Sequence, residues 1–311
     1  MQIYLPIAEI PVNIIVILAL GLITGFMAGM FGIGGGFLST PLLMFIGIPP
    51  AVAVSTSANQ ITASSLSGLL AHLKRGNVDI RMGLTMMGGG VVGSIVGVGI
   101  FKLFQKIGQI DLMVGLAYVI FLGSIGTAML IDSVKLILER KYDIVWKKNN
   151  KNNARLTLFL RKISKLPFKK HFPKSDVTIS VIVPIVIGFL VGNLVSIMGI
   201  GGGFIMIPAM IYILKMPSSV VVGTSLFQII FIAGNVTFLQ ALTNHTVDIV
   251  LAFLMIMSSV IGAQLGTRAS YKVDTDNLRS ILSLIILVVS LKMLLNLFAH
   301  PASLYTIEAL K

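Results

Sequence analysis

Gly32-Ile33-Gly34-Gly35-Gly36-Phe37, with Pro41 four residues beyond, decides how this chain is read. The string returns as Gly199-Ile200-Gly201-Gly202-Gly203-Phe204, with Pro208 at the same distance, 167 positions on. Each copy lies in a long apolar run, where three consecutive glycines are costly to keep helical. Proline lacks an N–H and suits the start of a helix better than its interior. The expectation is two helices broken in the same way, one in each half, each followed by a new short helix.

Composition sets the surroundings. Of 311 residues, 56% are hydrophobic and only 11% charged, where a soluble domain carries roughly 25% charged residues. An integral membrane protein is indicated. The net charge of +13 is not spread as a nucleic-acid surface would be, and no nucleic-acid partner is expected. Thirteen of the 24 Lys and Arg fall between Lys135 and Lys174, where they read as a topology signal beside membrane spans. With no cysteine, disulfides, thiolate metal sites and cysteine nucleophiles are excluded. Residues 1–11 carry Glu9 and no basic cluster, so the first apolar run is expected to be retained rather than cleaved.

Long apolar runs cover 12–30, 51–73, 82–101 and 111–131, then 177–198, 219–242, 247–266 and 281–298. Two short ones, 37–48 and 204–214, follow the glycines and are too short to cross a bilayer comfortably. Long and short pieces come in the same order in both halves, and the likeness extends further. Ser55-Thr56-Ser57-Ala58-Asn59-Gln60 aligns with Gly223-Thr224-Ser225-Leu226-Phe227-Gln228, and Val78-Asp79 with Val247-Asp248. An internal repeat explains this.

Basic residues orient the halves. Lys74, Arg75 and Arg81 bound one loop, whereas its counterpart 243–248 has no Lys or Arg and is expected on the opposite side. That is the signature of an inverted repeat. All cations but Lys102, Lys106, Lys292 and Lys311 then lie in the cytoplasm, and both termini outside it. Lys292, well inside a span, is expected to snorkel outward. The fold expected is an all-α integral membrane protein, an inverted repeat of about five helical segments per half. Each half carries a Gly-broken helix hairpin near the midplane. Residues 1–134 form the first membrane repeat, 135–176 a basic cytoplasmic linker and 177–311 the second repeat. Within the linker, Leu156, Phe159, Leu160, Ile163 and Leu166 among basic residues suit an amphipathic helix on anionic lipid. A charged irregular loop is the competing reading, favoured in its first part by Asn149 to Asn153.

Where a helix breaks inside a membrane, its freed N–H groups need protein, water or substrate as partners. The positive end of the next helix points at the same place and favours an anion. Gly34, Gly35 and Gly36, with Gly201, Gly202 and Gly203, are therefore candidate substrate-binding positions; close helix packing is the alternative use of such glycines. Thr56, Ser57, Asn59 and Gln60, with Thr224, Ser225 and Gln228, place hydroxyls and amides nearby. They suit an oxyanion, or equally hydrogen bonds between helices. Gly89-x3-Gly93-x3-Gly97, Gly188-x3-Gly192 and Gly262-x3-Gly266 read as packing faces. Neither glycine string fits G-x-G-x-x-G or a P-loop. No acid falls mid-span, and His72 and His245 lie at span ends or loops, so catalytic, metal and cofactor roles are not expected.

Gly-x-Gly-Gly-Gly-Phe-x3-Pro in both halves, with the Thr-Ser stretch after it, resembles the sulfite exporter TauE/SafE family of membrane permeases. The likeness covers nearly all the chain except the basic insertion 135–174, and Ser55 stands where the other half has Gly223. It implies secondary transport of sulfite or short organosulfonates such as sulfoacetate, generally outward and coupled to the proton gradient, in a bacterial inner membrane. The implied site is the glycine tips with Thr56, Ser57, Thr224 and Ser225. A passive anion channel or a carboxylate carrier is the alternative, and a homo-oligomer is left open.

Overall fold

The computed structural model describes residues 2–142, 167–269 and 275–298. Two series of elements run in the same order. Each opens on a β-hairpin that the hydropathy pattern does not announce: β1 (Gln2–Leu5) with β2 (Ile10–Asn13), and β3 (Lys169–Phe172) with β4 (Val177–Ser180), both antiparallel. At matching positions of the two turns, Glu9 and Asp176 hold positive φ of 57° and 48°. The first and sixth helices therefore begin only after these hairpins.

The first series continues with α1 (Ile14–Phe31), α2 (Gly36–Phe45), α3 (Pro50–Lys74), α4 (Ile80–Ile107) and α5 (Ile110–Tyr142). The second has α6 (Ile182–Met198), α7 (Gly203–Pro208), α8 (Ser218–Thr243), α9 (Ile249–Ala269) and α10 (Thr275–Phe298). Asn13 caps α1, its side-chain oxygen accepting the Ile15 N–H at 3.0 Å. Gly32 and Gly199 end α1 and α6 in the left-handed conformation. Five helices among the described residues are long and apolar enough to cross a membrane. With Val92, Ile95, Ile120, Phe238, Phe253 and Leu284 exposed outside, and Ser, Thr and Gln side chains buried inside, this is an all-α membrane protein.

The prolines correct one expectation. Pro41 and Pro208 lie inside their short helices, which start five residues earlier at Gly36 and Gly203. Each removes the helical donor for the carbonyl four residues back, on Phe37 and Phe204. After Pro208 the chain widens into one π turn, Ala209–Ile213, closed by the Leu214 N–H on the Ala209 carbonyl at 3.1 Å. Within 135–176, α5 runs through Tyr142 and β3 begins at Lys169. The surface-helix expectation for 156–166 lies outside the described residues. Lys292 is exposed, and its Nζ lies 4.1 Å from the centroid of the Phe45 ring.

Helix partners are preserved when the two series are exchanged. α1 lies along α9, and α6 along α4; α3 packs on α9, and α8 on α4; α3 meets α8 and α5 meets α10. The small-residue faces make the first pair possible. A Cβ on Gly25 would stand 2.2 Å from the Ser259 carbonyl oxygen, and one on Gly93 2.0 Å from that of Phe189. Backbones in such contact gain dispersion that larger residues would forbid. The hairpins follow the same exchange. Leu5 is buried with Leu43 of α2 and Leu251 of α9, while Phe172 is buried with Met210 after α7 and Met82 of α4.

Candidate functional site: where the broken helices meet

The two glycine strings face each other and touch. A Cβ on Gly36 would lie 2.6 Å from the Gly199 carbonyl oxygen and 2.7 Å from the Gly201 nitrogen. One on Gly203 would lie 2.6 Å from the Ile33 carbonyl oxygen. Only glycine fits such an approach. Just past the tips, the Phe37 and Phe204 rings stack at 5.7 Å between centroids with planes 14° apart. Ile61 of α3 plugs the contact, touching the Cβ positions of Gly34, Gly36 and Gly201.

Backbone donors collect here. Gly35 begins α2 as its cap with φ of 70°, and Gly202 does the same for α7 with φ of 67°. Among the described residues, the amides of Ile33 through Phe37 have no backbone acceptor. At the second tip, Gly203 turns its N–H back onto the Gly201 carbonyl at 2.7 Å. The first tip thus leaves more of its N–H groups available.

Ile61 and Ser65 of α3 and Ile229 of α8 reach the tips, and the remaining candidates on these two helices divide by their hydrogen-bond partners. Ser57, Ser65 and Gln228 are buried, and their side-chain polar atoms lack hydrogen-bond partners, as does Oε1 of Gln60. Ser65 Oγ comes within 3.4 Å of the Cβ position on Gly34. Gln60 donates its Nε2 to Thr24 Oγ1 at 2.7 Å. Ser225 donates to the Gly32 carbonyl at 3.3 Å and to that of Val222 at 2.8 Å. Asn59 is half-buried. A buried polar group left without a partner costs about 1–3 kcal/mol, so each of these unpartnered groups stands unsatisfied.

Thr56 and Thr224 are engaged elsewhere. The Thr224 hydroxyl oxygen accepts the Asp79 N–H at 2.9 Å, and that of Thr56 accepts the Asp248 N–H at 3.3 Å. Ser55 shares a hydrogen bond of 2.6 Å with Thr246 beside it. These residues join one repeat's third helix to the other repeat's α3–α4 or α8–α9 loop. Sequence reasoning passed over three participants: Thr24, Asp79 and Asp248. The aspartates were visible as an aligned Val-Asp pair; Thr24 had a signal in that its counterpart in the repeat is Val191.

The chemistry on offer is binding. The groups named around the tips are amides, hydroxyls and backbone N–H donors, none of which titrates near neutral pH.

The model of the family described as "Sulfite exporter TauE/SafE" matches residues 17–293. The chain is 27% identical to the probable membrane transporter protein YunE of Bacillus subtilis, over 91% of this chain and 97% of that one. It is likewise 27% identical to the probable membrane transporter protein MJ0441 of Methanocaldococcus jannaschii, over 90% and 94%. A shorter match, 28% identical over 39% of this chain and 26% of the other, is to sulfite exporter TauE/SafE family protein 3 of Arabidopsis thaliana. No solved structure matches. Two broken helices meeting tip to tip inside an apolar bundle, and a family match over nearly the whole chain, make this a membrane transporter belonging to the sulfite exporter TauE/SafE family.

Proposed function

We infer that the protein is a secondary permease for a small oxyanion, bound where the two glycine tips meet. Sulfite or a short organosulfonate such as sulfoacetate is the substrate class, exported by alternating access and coupled to the proton gradient. The observation that carries this reading is the contact of the tips, with free N–H groups at Ile33–Phe37 and the unpaired Ser65 hydroxyl within 3.4 Å of the Cβ position on Gly34. Ser57, Gln60 and Gln228 add buried polar atoms without partners. An anion with several acceptor oxygens would satisfy most of these groups at once. In this reading the two series are inverted about an axis in the plane of a bacterial inner membrane. The basic central segment then faces the cytoplasm and its anionic lipids, with both termini outside.

Uptake of labelled sulfite, sulfoacetate and acetate into proteoliposomes, with and without a pH gradient, tests it. Accumulation of a sulfur oxyanion only when the gradient is present is expected, and Gly35→Leu or Gly202→Leu should abolish it while sparing membrane insertion. Equilibration without accumulation would indicate a channel, and acetate alone a carboxylate carrier. Normal transport in both glycine variants would remove the tips from the mechanism.

A further inference from the structure

Gln60 and Gln228 hold equivalent places in the two series, and one residue makes their surroundings differ. Thr24 of α1 faces Gln60, whereas the equivalent position on α6 is Val191. Both lie against the tips: the Thr24 carbonyl oxygen is 2.6 Å from the Cβ position on Gly35, and a Val191 methyl 2.6 Å from that on Gly202. The Thr24 hydroxyl has a single proton, directed at the Leu20 carbonyl at 2.8 Å and the Gly21 carbonyl at 3.2 Å. With its proton spent there, its oxygen accepts from Gln60. In this network Nε2 points at Thr24 and Oε1 points away, buried and without a donor in a residue 1% exposed. Gln228, with valine in place of threonine, has neither amide atom engaged and is 0% exposed. Its amide is free to turn its NH₂ toward a ligand.

Such a pair asks two different things of a ligand. Gln228 can donate to an anionic oxygen. Gln60 offers a carbonyl oxygen, which repels a bare oxyanion and binds an O–H. No Lys or Arg is among the buried side chains described, so backbone and amide dipoles must meet the ligand's charge. The penalty for burying an ion grows with the square of its charge, which disfavours a dianion.

We propose that the site selects singly charged oxyanions that still carry a proton, with Thr24 as the positioning residue that fixes Gln60 as acceptor. Hydrogensulfite in its O–H form is accepted over the sulfite dianion and over sulfonates, whose oxygens carry no proton. The proposal rests on the reading of the tips as an oxyanion site and narrows its substrate.

The test compares flux of hydrogensulfite and methanesulfonate at one mildly acid pH, corrected for protein-free vesicles, in wild type, Thr24→Val and Gln60→Met. Wild type should favour hydrogensulfite by at least about tenfold, the scale on which a polar site rejects an analogue lacking its hydrogen bond. Thr24→Val copies the residue of the other repeat, keeps the volume and frees the Gln60 amide to turn. It should lower the ratio several-fold, mainly by raising methanesulfonate flux. Gln60→Met removes the acceptor and should lower the ratio too; it decides alone if Thr24→Val gives no folded protein. A wild-type ratio near one, or a ratio unchanged in folded variants, overturns the selection and leaves oxyanion transport standing. No flux of either anion in wild type overturns the transport reading, and this selection with it.

Discussion

Asp248 Oδ2 accepts the backbone N–H of Ile7 at 2.9 Å, joining the loop before α9 to the turn of the first hairpin, 241 residues away in sequence. The same oxygen takes the Ala8 N–H at 3.4 Å, while Oδ1 caps α9 through the Leu251 N–H at 3.0 Å. Asp79 repeats the arrangement in mirror: Oδ1 caps α4 through Met82, and Oδ2 accepts the Ser175 hydroxyl of the second hairpin at 2.6 Å. Each hairpin is thus held by an aspartate of the opposite half.

Asp248→Ala should destabilise the protein by about 2–4 kcal/mol, from the lost cap and two hairpin amides left unpaired. An apparent Tm measured in detergent should fall accordingly. In the other clamp, Asp79→Ala and Ser175→Ala should not add: Ser175→Ala in the Asp79→Ala background should cost little more. Full additivity of the two would show that this hydrogen bond contributes nothing.

Gly36→Ala and Gly203→Ala should impair folding and transport together, because each methyl would meet the opposing tip's backbone at 2.6 Å. Gly88→Ala and Gly99→Ala, in α4 with nothing within 4 Å of the added carbon, should be neutral or stabilise by about 0.5–1 kcal/mol through helix propensity. Flux and thermal stability of the four variants side by side check the contrast.

Phe37→Ala and Phe204→Ala should each destabilise the meeting of the tips, and the stack between them should appear as a coupling of about 0.5–1.5 kcal/mol in a double-mutant cycle. A zero coupling would mean that the rings merely share a cavity.

Gly93→Ala and Gly262→Ala should act alike, since equivalent positions press on the backbones of Phe189 and Leu22 at 2.0 and 2.2 Å. Comparable losses of folded yield, by size-exclusion chromatography, are expected from the exchange of partners between the halves.

The repeat, the glycine breaks and the small-residue faces were legible because each leaves a periodic or compositional trace. Gly93 and Gly262 could be paired by alignment before any contact was known. The hairpins were not legible: Gln2–Leu5 and Lys169–Phe172 are four-residue strands with no sustained alternation, and burial of Leu5 and Phe172 against distant helices holds them in place. The short helices begin at Gly36 and Gly203, beside the Phe37 and Phe204 where the short apolar runs start. What Pro41 and Pro208 did not reveal is that they lie five residues inside, after the left-handed caps Gly35 and Gly202. At the site, residue type was a guide and partner was not. Thr56 and Thr224 look the same in sequence as Ser57 and Gln228, yet the first two are spent on the amides of Asp248 and Asp79. The helix of Thr24 was read as plain apolar, and its one hydroxyl sets the orientation of Gln60.

Because α1 lies along α9 rather than along a helix of its own half, the order of synthesis matters. The glycine face at Gly21, Gly25 and Gly29 must wait in the translocon or in lipid until Ser259 and Ala263 have been made. Each half is therefore expected to need the other to mature, since each lacks the helix on which its glycine face packs. Two half-chains expressed from separate messages should therefore assemble when made together and be degraded when made alone.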